Sequence, residues 1–140
     1  MGAWGPGTFE DDLAVDWLED LFESDPEAFF AACLDLSGLD DLPYLACIGV
    51  LCTAEMIHSL VREPRDDLPG AARRWTRDHR NLNVDRFVAS ALIGLDRVAD
   101  ERSEMHERWL DHAEQYGQWR SRIDDLIKRL EAVLTELSPR

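Results

Sequence analysis

Hydrophobic side chains recur along most of this chain at every third or fourth residue, a spacing that predicts amphipathic α-helices. The first such stretch places Leu13, Trp17, Leu18 and Leu21 on one side of a helix and acidic residues on the other. Neither the alternating pattern of a β-strand nor an internal repeat occurs in the sequence. The pattern therefore predicts an all-α protein.

Capping residues and prolines divide this pattern into separate helices. Asp11 or Asp12 is suited to cap the first helix, and Asp25-Pro26 to begin a second one of roughly residues 26–36. Asp40 and Asp41 are suited to cap a third helix, which ends near residue 63. Its uncharged run, residues 42–54, is 13 residues long and too short to cross a bilayer, so it predicts a buried core helix without membrane contact.

Three further segments complete the predicted bundle. A short helix is expected around residues 71–79, and another runs from Asn81 or Asn83 to Val98. Ser103 is suited to cap the last and longest helix. Apolar side chains follow heptad spacing along it, at Trp109, Tyr116, Trp119, Ile123, Leu126, Leu130, Val133 and Leu137. We expect a single domain, residues 1–140, built as a compact bundle of five to six helices with a long C-terminal helix.

The N-terminal segment is rich in glycine. Gly2, Gly5 and Gly7 surround Trp4 and Pro6, and glycine allows the backbone to approach a neighbouring element closely. This composition predicts an ordered N-terminal segment that packs against the bundle, with Trp4 filling a pocket.

Charge is distributed very unevenly. The net charge is −14, and residues 1–61 hold 13 of the 29 acidic residues but none of the 15 Lys and Arg residues. This distribution argues against nucleic-acid binding, because phosphates would be repelled. It would either attract a basic protein or serve solubility alone.

Cysteine use and the start of the chain indicate a cytoplasmic protein. Cys33, Cys47 and Cys52 lie in apolar stretches, without the spacing of metal-ligand pairs, and are expected to be reduced and buried. The first residues lack the basic and apolar regions of a signal peptide.

Two constellations of polar residues are candidates for chemistry. Glu55 lies on the apolar third helix, where a carboxylate needs a partner; a structural pairing is favoured over a metal or general-base role. Glu55-Met-Ile-His58 has the spacing of one half of a diiron site, but no second Glu-x-x-His occurs. Asp12, Asp16, Glu55 and Glu104 could form an Mg²⁺ or Mn²⁺ site if the fold brought them together. No cofactor and no catalytic residue is assigned.

The order of motifs resembles a family of bacterial proteins known as domain of unknown function 4259. The resemblance rests on the opening Met1-Gly-Ala-Trp-Gly motif, Thr53-Ala54-Glu55, Leu68-Pro69 and Ser103-Glu104-Met105. It covers nearly the whole chain and implies a small helical protein without implying a reaction. A buried polar or structural role is expected for the motif residues Trp4, Asp12, Glu55, Ser103, Glu104 and Trp109.

Three functional hypotheses remain open from the sequence. The favoured one is a non-enzymatic interaction protein of the immunity or inhibitor type that binds a basic partner through Asp16, Glu19, Asp20 and Glu23. The second is a metal-dependent hydrolase that uses the four carboxylates named above. The third is a structural homodimer formed through the last helix.

Overall fold

Helices form the regular structure of residues 3–137, the part of the chain that this computed structural model describes. They are α1 (Asp12–Phe22), α2 (Pro26–Asp35), α3 (Tyr44–Val61), α4 (Gly70–Asp78), α5 (Val88–Val98), α6 (Glu104–Leu110) and α7 (Ala113–Leu137). Short 3-10 turns occupy Leu36–Gly38 and Asp85–Phe87. Within residues 3–137 there is no β-strand, so the expected all-α class is confirmed.

Helix α3 lies at the centre of the bundle. Every residue from Ala46 to Leu60 is buried, and α3 packs against each of the other six helices. It is the one helix in this part of the chain that is long and apolar enough to cross a membrane, but 89% of it is buried inside the protein. The expectation of a core helix is therefore confirmed.

The start of α3 differs from the expectation. Neither Asp40 nor Asp41 caps it; the helix begins at Tyr44 after Pro43, which contributes no side-chain hydrogen bond. The Tyr44 backbone N–H instead donates to the Glu104 carboxylate at 2.6 Å. A side chain 60 residues away in the sequence thus pairs a free backbone N–H at the start of α3, which the N-cap residue Pro43 cannot do.

The expected number of five to six helices is wrong, because the predicted last helix is two helices. Helix α6 ends at Leu110 with Asp111 as its C-cap, and α7 begins at Ala113. In one continuous helix, Trp109 and Trp119 would be separated by about 15 Å along the axis. The break brings their ring centroids to 6.3 Å and buries both rings.

The apolar stripe of α7 contacts the chain's own core. Its central side chains, Ile123, Leu126, Leu130 and Val133, are buried in a helix that packs against α3 and α5. A homodimer through α7 would therefore have to use another face of the helix.

The packing of α5 against Val50 of α3 requires glycine at position 94. A Cβ atom there would lie 2.5 Å from Cγ1 of Val50, which is fully buried. We expect Gly94→Ala to lower the free energy of unfolding by about 1–3 kcal/mol, as overpacking does in cores, when measured by urea denaturation.

Gly117→Ala is the matched control for Gly94→Ala. No atom lies within 4 Å of its added Cβ, and the residue is exposed on α7. Alanine should stabilise the helix there by up to about 1 kcal/mol. Equal effects at the two positions would contradict the close packing of α3 against α5.

Candidate functional site

Residues 3–11 form a closed loop that leads into α1. The Trp4 N–H donates to the Glu10 carbonyl at 2.8 Å, and the Gly7 N–H donates to the Glu10 carboxylate at 2.9 Å. A Cβ atom at Gly7 would lie 2.8 Å from that carboxylate, so a larger residue at position 7 would require the Glu10 side chain to move. Ala3 and Asp11 form an antiparallel bridge at its base.

Trp4 does not fill a pocket, and this expectation is wrong. Its side chain is 58% exposed. The buried positions of the loop are occupied by Gly5, Gly7, Thr8, Phe9 and Asp11. Trp109 and Trp119 line the small space beneath it. Trp4 instead forms an outer wall of the loop.

Glu55 connects the loop to the core helix. Its side chain is 4% exposed, accepts a hydrogen bond from the Thr8 hydroxyl at 2.7 Å and lies 3.7 Å from the Arg65 guanidinium. Burial raises the pKa of Glu55, while Arg65 and Thr8 oppose the rise. The carboxylate therefore joins the N-terminal loop, α3 and the α3–α4 connection in one buried polar cluster.

Asp11, and not Asp12, connects the start of α1 to α3. Its carboxylate accepts the Leu13 N–H at 2.9 Å as the N-cap of α1 and also accepts the Tyr44 hydroxyl. Burial, followed by this hydrogen bond, raises the pKa of Tyr44 and keeps the phenol protonated. Asp12 lies on the exposed side of the first turn, so its expected burial is wrong.

Ser103 and Glu104 organise the junction of α6 with α3. The Ser103 hydroxyl accepts the His106 N–H at 3.2 Å and caps α6. Glu104 accepts from the Tyr44 N–H and from Arg108 at 3.0 Å. These contacts, the backbone one first, lower the pKa of Glu104 and keep the carboxylate ionised.

A cleft of about 540 Å³ lies between the N-terminal loop, the first turn of α1 and the α6–α7 break. Its size is in the range of small-molecule sites. We call it the aromatic cleft, and its walls carry Trp4, Asp12, Tyr44, Arg108, Trp109 and His112. Arg108 stacks on the Tyr44 ring at 4.4 Å, and the His112 ring lies edge-on to Trp109 at 5.9 Å.

Sequence reasoning found only part of the aromatic cleft. It selected Trp4, Asp12 and Trp109, but it missed Tyr44, Arg108 and His112. No sequence pattern indicates the helix break at Asp111, which places His112 beside Trp109.

The four carboxylates of the metal hypothesis do not converge. Residues 3–137 contain no group of three or more His, Cys, Asp or Glu side chains placed to bind a metal ion. Glu55 and Glu104 have the partners described above, while Asp12 and Asp16 are exposed on α1. Glu55 and the Tyr44 N–H that Glu104 binds are 11 residues apart on α3, or about 16 Å.

The predicted partner-binding residues share the outer side of α1. Asp16, Glu19, Asp20 and Glu23, which we call the acidic face, are all exposed. In the described part of the chain, no Lys, Arg or His nitrogen lies within 4 Å of their carboxylates; the ion pairs involve other acids.

The arginines of the second half reach other parts of the acidic half. Arg86 pairs with Glu27 of α2 at 2.7 Å, and Arg102 lies 3.2 Å from Asp41. Arg97 donates to the carbonyls of Ser37, Leu39 and Asp40. Ion pairs from these arginines therefore reach Glu27 of α2 and Asp41 of the following connection, but none of the acids of α1.

The comparisons with known proteins confirm the family resemblance. The model of a family described as a domain of unknown function (DUF4259) matches residues 2–122. No curated protein and no solved structure matches the chain.

Thr8→Val should separate the N-terminal loop from Glu55. The substitution removes the hydroxyl donor at nearly constant volume. Because hydrogen bonds to charged groups contribute about 1.5–3 kcal/mol, the free energy of unfolding measured by urea denaturation at pH 7 should fall by that amount. Because this donor lowers the pKa of Glu55, the loss should shrink as the pH falls and Glu55 is protonated. Thr135→Val, at an exposed hydroxyl on α7, is the control and should change stability by less than about 0.5 kcal/mol.

His58 should make the protein sensitive to acid. Its side chain is 2% exposed, and burial, together with Arg129 and Arg65, lowers its pKa from 6.5 to about 4. The unfolded state therefore binds a proton more readily than the native state does. The free energy of unfolding should be constant above pH 6.5 and fall by on the order of 2 kcal/mol between pH 6.5 and 4. His58→Gln should flatten this part of the unfolding profile, and the exposed His112→Gln should not. A retained slope in His58→Gln would assign the pH dependence to another group.

Proposed function

The chain belongs to the DUF4259 family, and we propose that it is a protein-interaction module that binds a basic protein through the acidic face of α1. The observation that carries the proposal is that Asp16, Glu19, Asp20 and Glu23 are exposed and have no ion-pair partner among residues 3–137.

The acidic face does not serve the stability of α1. Asp16 with Asp20, and Glu19 with Glu23, are like-charge pairs at i,i+4 spacing, which destabilise a helix by about 0.2–0.5 kcal/mol each. The last turn of α1 contains no basic residue, and negative charge there also opposes the helix dipole. A basic partner would relieve both effects.

Apolar side chains extend the same surface. Val15 and Phe22 are each 38% exposed. They lie two turns apart on one side of α1, whereas the core residues Trp17 and Leu21 are buried on another side. Mixed apolar and charged side chains can contribute burial as well as charge to an interface, whereas charge alone would suffice for solubility. This mixture favours docking over the solubility explanation.

The scaffold holds this surface in a fixed position. Asp11 caps α1 and bonds to Tyr44 of α3, while Trp17 packs on Phe29 of α2 at 5.3 Å between ring centroids. A preorganised surface loses less conformational entropy on binding. Charge complementarity would make association fast, which suits an inhibitor or immunity role, and would also make it sensitive to salt.

The test compares two variants with the same change in net charge. One variant carries Asp16→Asn, Glu19→Gln, Asp20→Asn and Glu23→Gln; the control carries Asp78→Asn, Asp96→Asn, Glu101→Gln and Glu131→Gln, all exposed and without ion pairs within residues 3–137. Each variant is used to capture proteins from the source cells at about 50 and about 300 mM NaCl. Interactions between exposed charges are much more strongly screened at the higher concentration.

We expect a stoichiometric basic protein to bind wild type and control, to be lost at high salt, and to bind the α1 variant at least 10-fold more weakly. Isothermal titration calorimetry with the purified partner gives the affinities. Equal losses in both variants would show that net charge acts without a defined surface. Binding that both variants retain would also overturn the proposal.

A further inference from the structure

The aromatic cleft adjoins the acidic face, since Asp12 and Leu13 of the first turn of α1 form one of its walls. Resting on the proposed function, we infer that the aromatic cleft receives an arginine side chain of the basic partner. The partner's remaining basic residues would lie along the acidic face.

Charge in the cleft favours a cation. Arg108 is the one guanidinium on its walls, and its charge is offset by Glu104 at 3.0 Å and by the Tyr44 ring beneath it. Asp12 also lies on a wall, is exposed, and has no basic nitrogen within 4 Å among residues 3–137. The uncompensated charge in the cleft is therefore negative.

The shape and chemistry of the walls favour a planar cation. Trp4 lines the cleft and is 58% exposed, and an indole face is the strongest aromatic partner for a cation. A guanidinium can stack on this ring and donate two parallel hydrogen bonds to a carboxylate such as Asp12. Gln115, also on the wall, offers an amide oxygen for a further donor.

Arginine fits these walls better than lysine. An ammonium group is more strongly hydrated and has no flat face for stacking, so it would lose more on entering the cleft. The protein itself stacks guanidinium groups on rings, at Arg108 on Tyr44 and at Arg86 on Phe87, 4.5 Å away. An arginine of the partner would repeat this contact on Trp4.

The test uses three synthetic helical peptides of equal length whose basic positions are all arginine, all lysine or all citrulline. Citrulline keeps the planar shape of arginine without its charge. Affinities of wild type, Trp4→Ala and Asp12→Asn are measured by calorimetry at constant salt. Ile93→Ala and Asp96→Asn, at exposed positions of α5, are the matched controls.

We expect wild type and both controls to bind the arginine peptide about 10-fold more tightly than the lysine peptide, and the citrulline peptide weakest. Trp4→Ala and Asp12→Asn should reduce the arginine-to-lysine ratio to about 1, while both variants should still bind the two basic peptides. Trp4 is exposed, so its truncation should leave the fold intact, which urea denaturation can check.

The outcomes separate this inference from the proposed function. An arginine preference that survives in Trp4→Ala and Asp12→Asn, or no preference in wild type, would overturn the inference and leave the acidic face as a docking surface. The four-site α1 variant should bind both basic peptides more weakly but keep the arginine-to-lysine ratio. Peptide binding that is unaffected in this variant would overturn the proposed function. Strong binding of the citrulline peptide would indicate a site for neutral planar groups and would also overturn the inference.

Discussion

The burial of α3, in which every residue from Ala46 to Leu60 is buried, is the constraint on which the rest of the structure depends. A helix with apolar side chains all around it has no face for water, so other helices must cover every side. The chain meets this requirement by packing six helices around α3. Each of these helices is amphipathic or short, and their outward faces carry the charged residues. The position of α1, with its acidic face outward, is a consequence of covering α3.

Burial also determines how the polar groups of α3 are paired. The Ser59 hydroxyl donates to the Met56 carbonyl at 2.8 Å and lies 3.0 Å from the Thr76 hydroxyl of α4. The Glu55 carboxylate accepts a hydrogen bond from Thr8 and pairs with Arg65. A buried carboxylate without such partners would be costly, so the N-terminal loop must be present for α3 to carry Glu55. The loop that forms one wall of the aromatic cleft is thus held in place by the core helix.

The elements that depend on local pattern could be predicted from the sequence, and those that depend on long-range contacts could not. The core face of α1 and the capping of α6 by Ser103 follow from residues within one or two turns. The break at Asp111 stabilises the packing of Trp109 on Trp119, a tertiary contact that heptad spacing cannot reveal. Trp4 was expected in a pocket because large aromatic residues are usually buried, yet smaller residues of its own loop occupy the buried positions.

The same division applies to the candidate site. The unpaired state of the acidic face could not be predicted, because 15 basic residues were available and only the fold decides which acids they reach. Arg86 and Arg102 reach Glu27 and Asp41, and no arginine reaches the outer side of α1. Since α1 spans 11 residues, or about 16 Å, the cleft at its first turn and the acidic face that follows form one continuous strip. A partner that fits this strip needs a row of basic residues of that length with arginine at the end beside Trp4. Uniform basic charge would satisfy the acidic face but not the cleft, so recognition of this strip would discriminate between basic proteins that attract it equally from a distance.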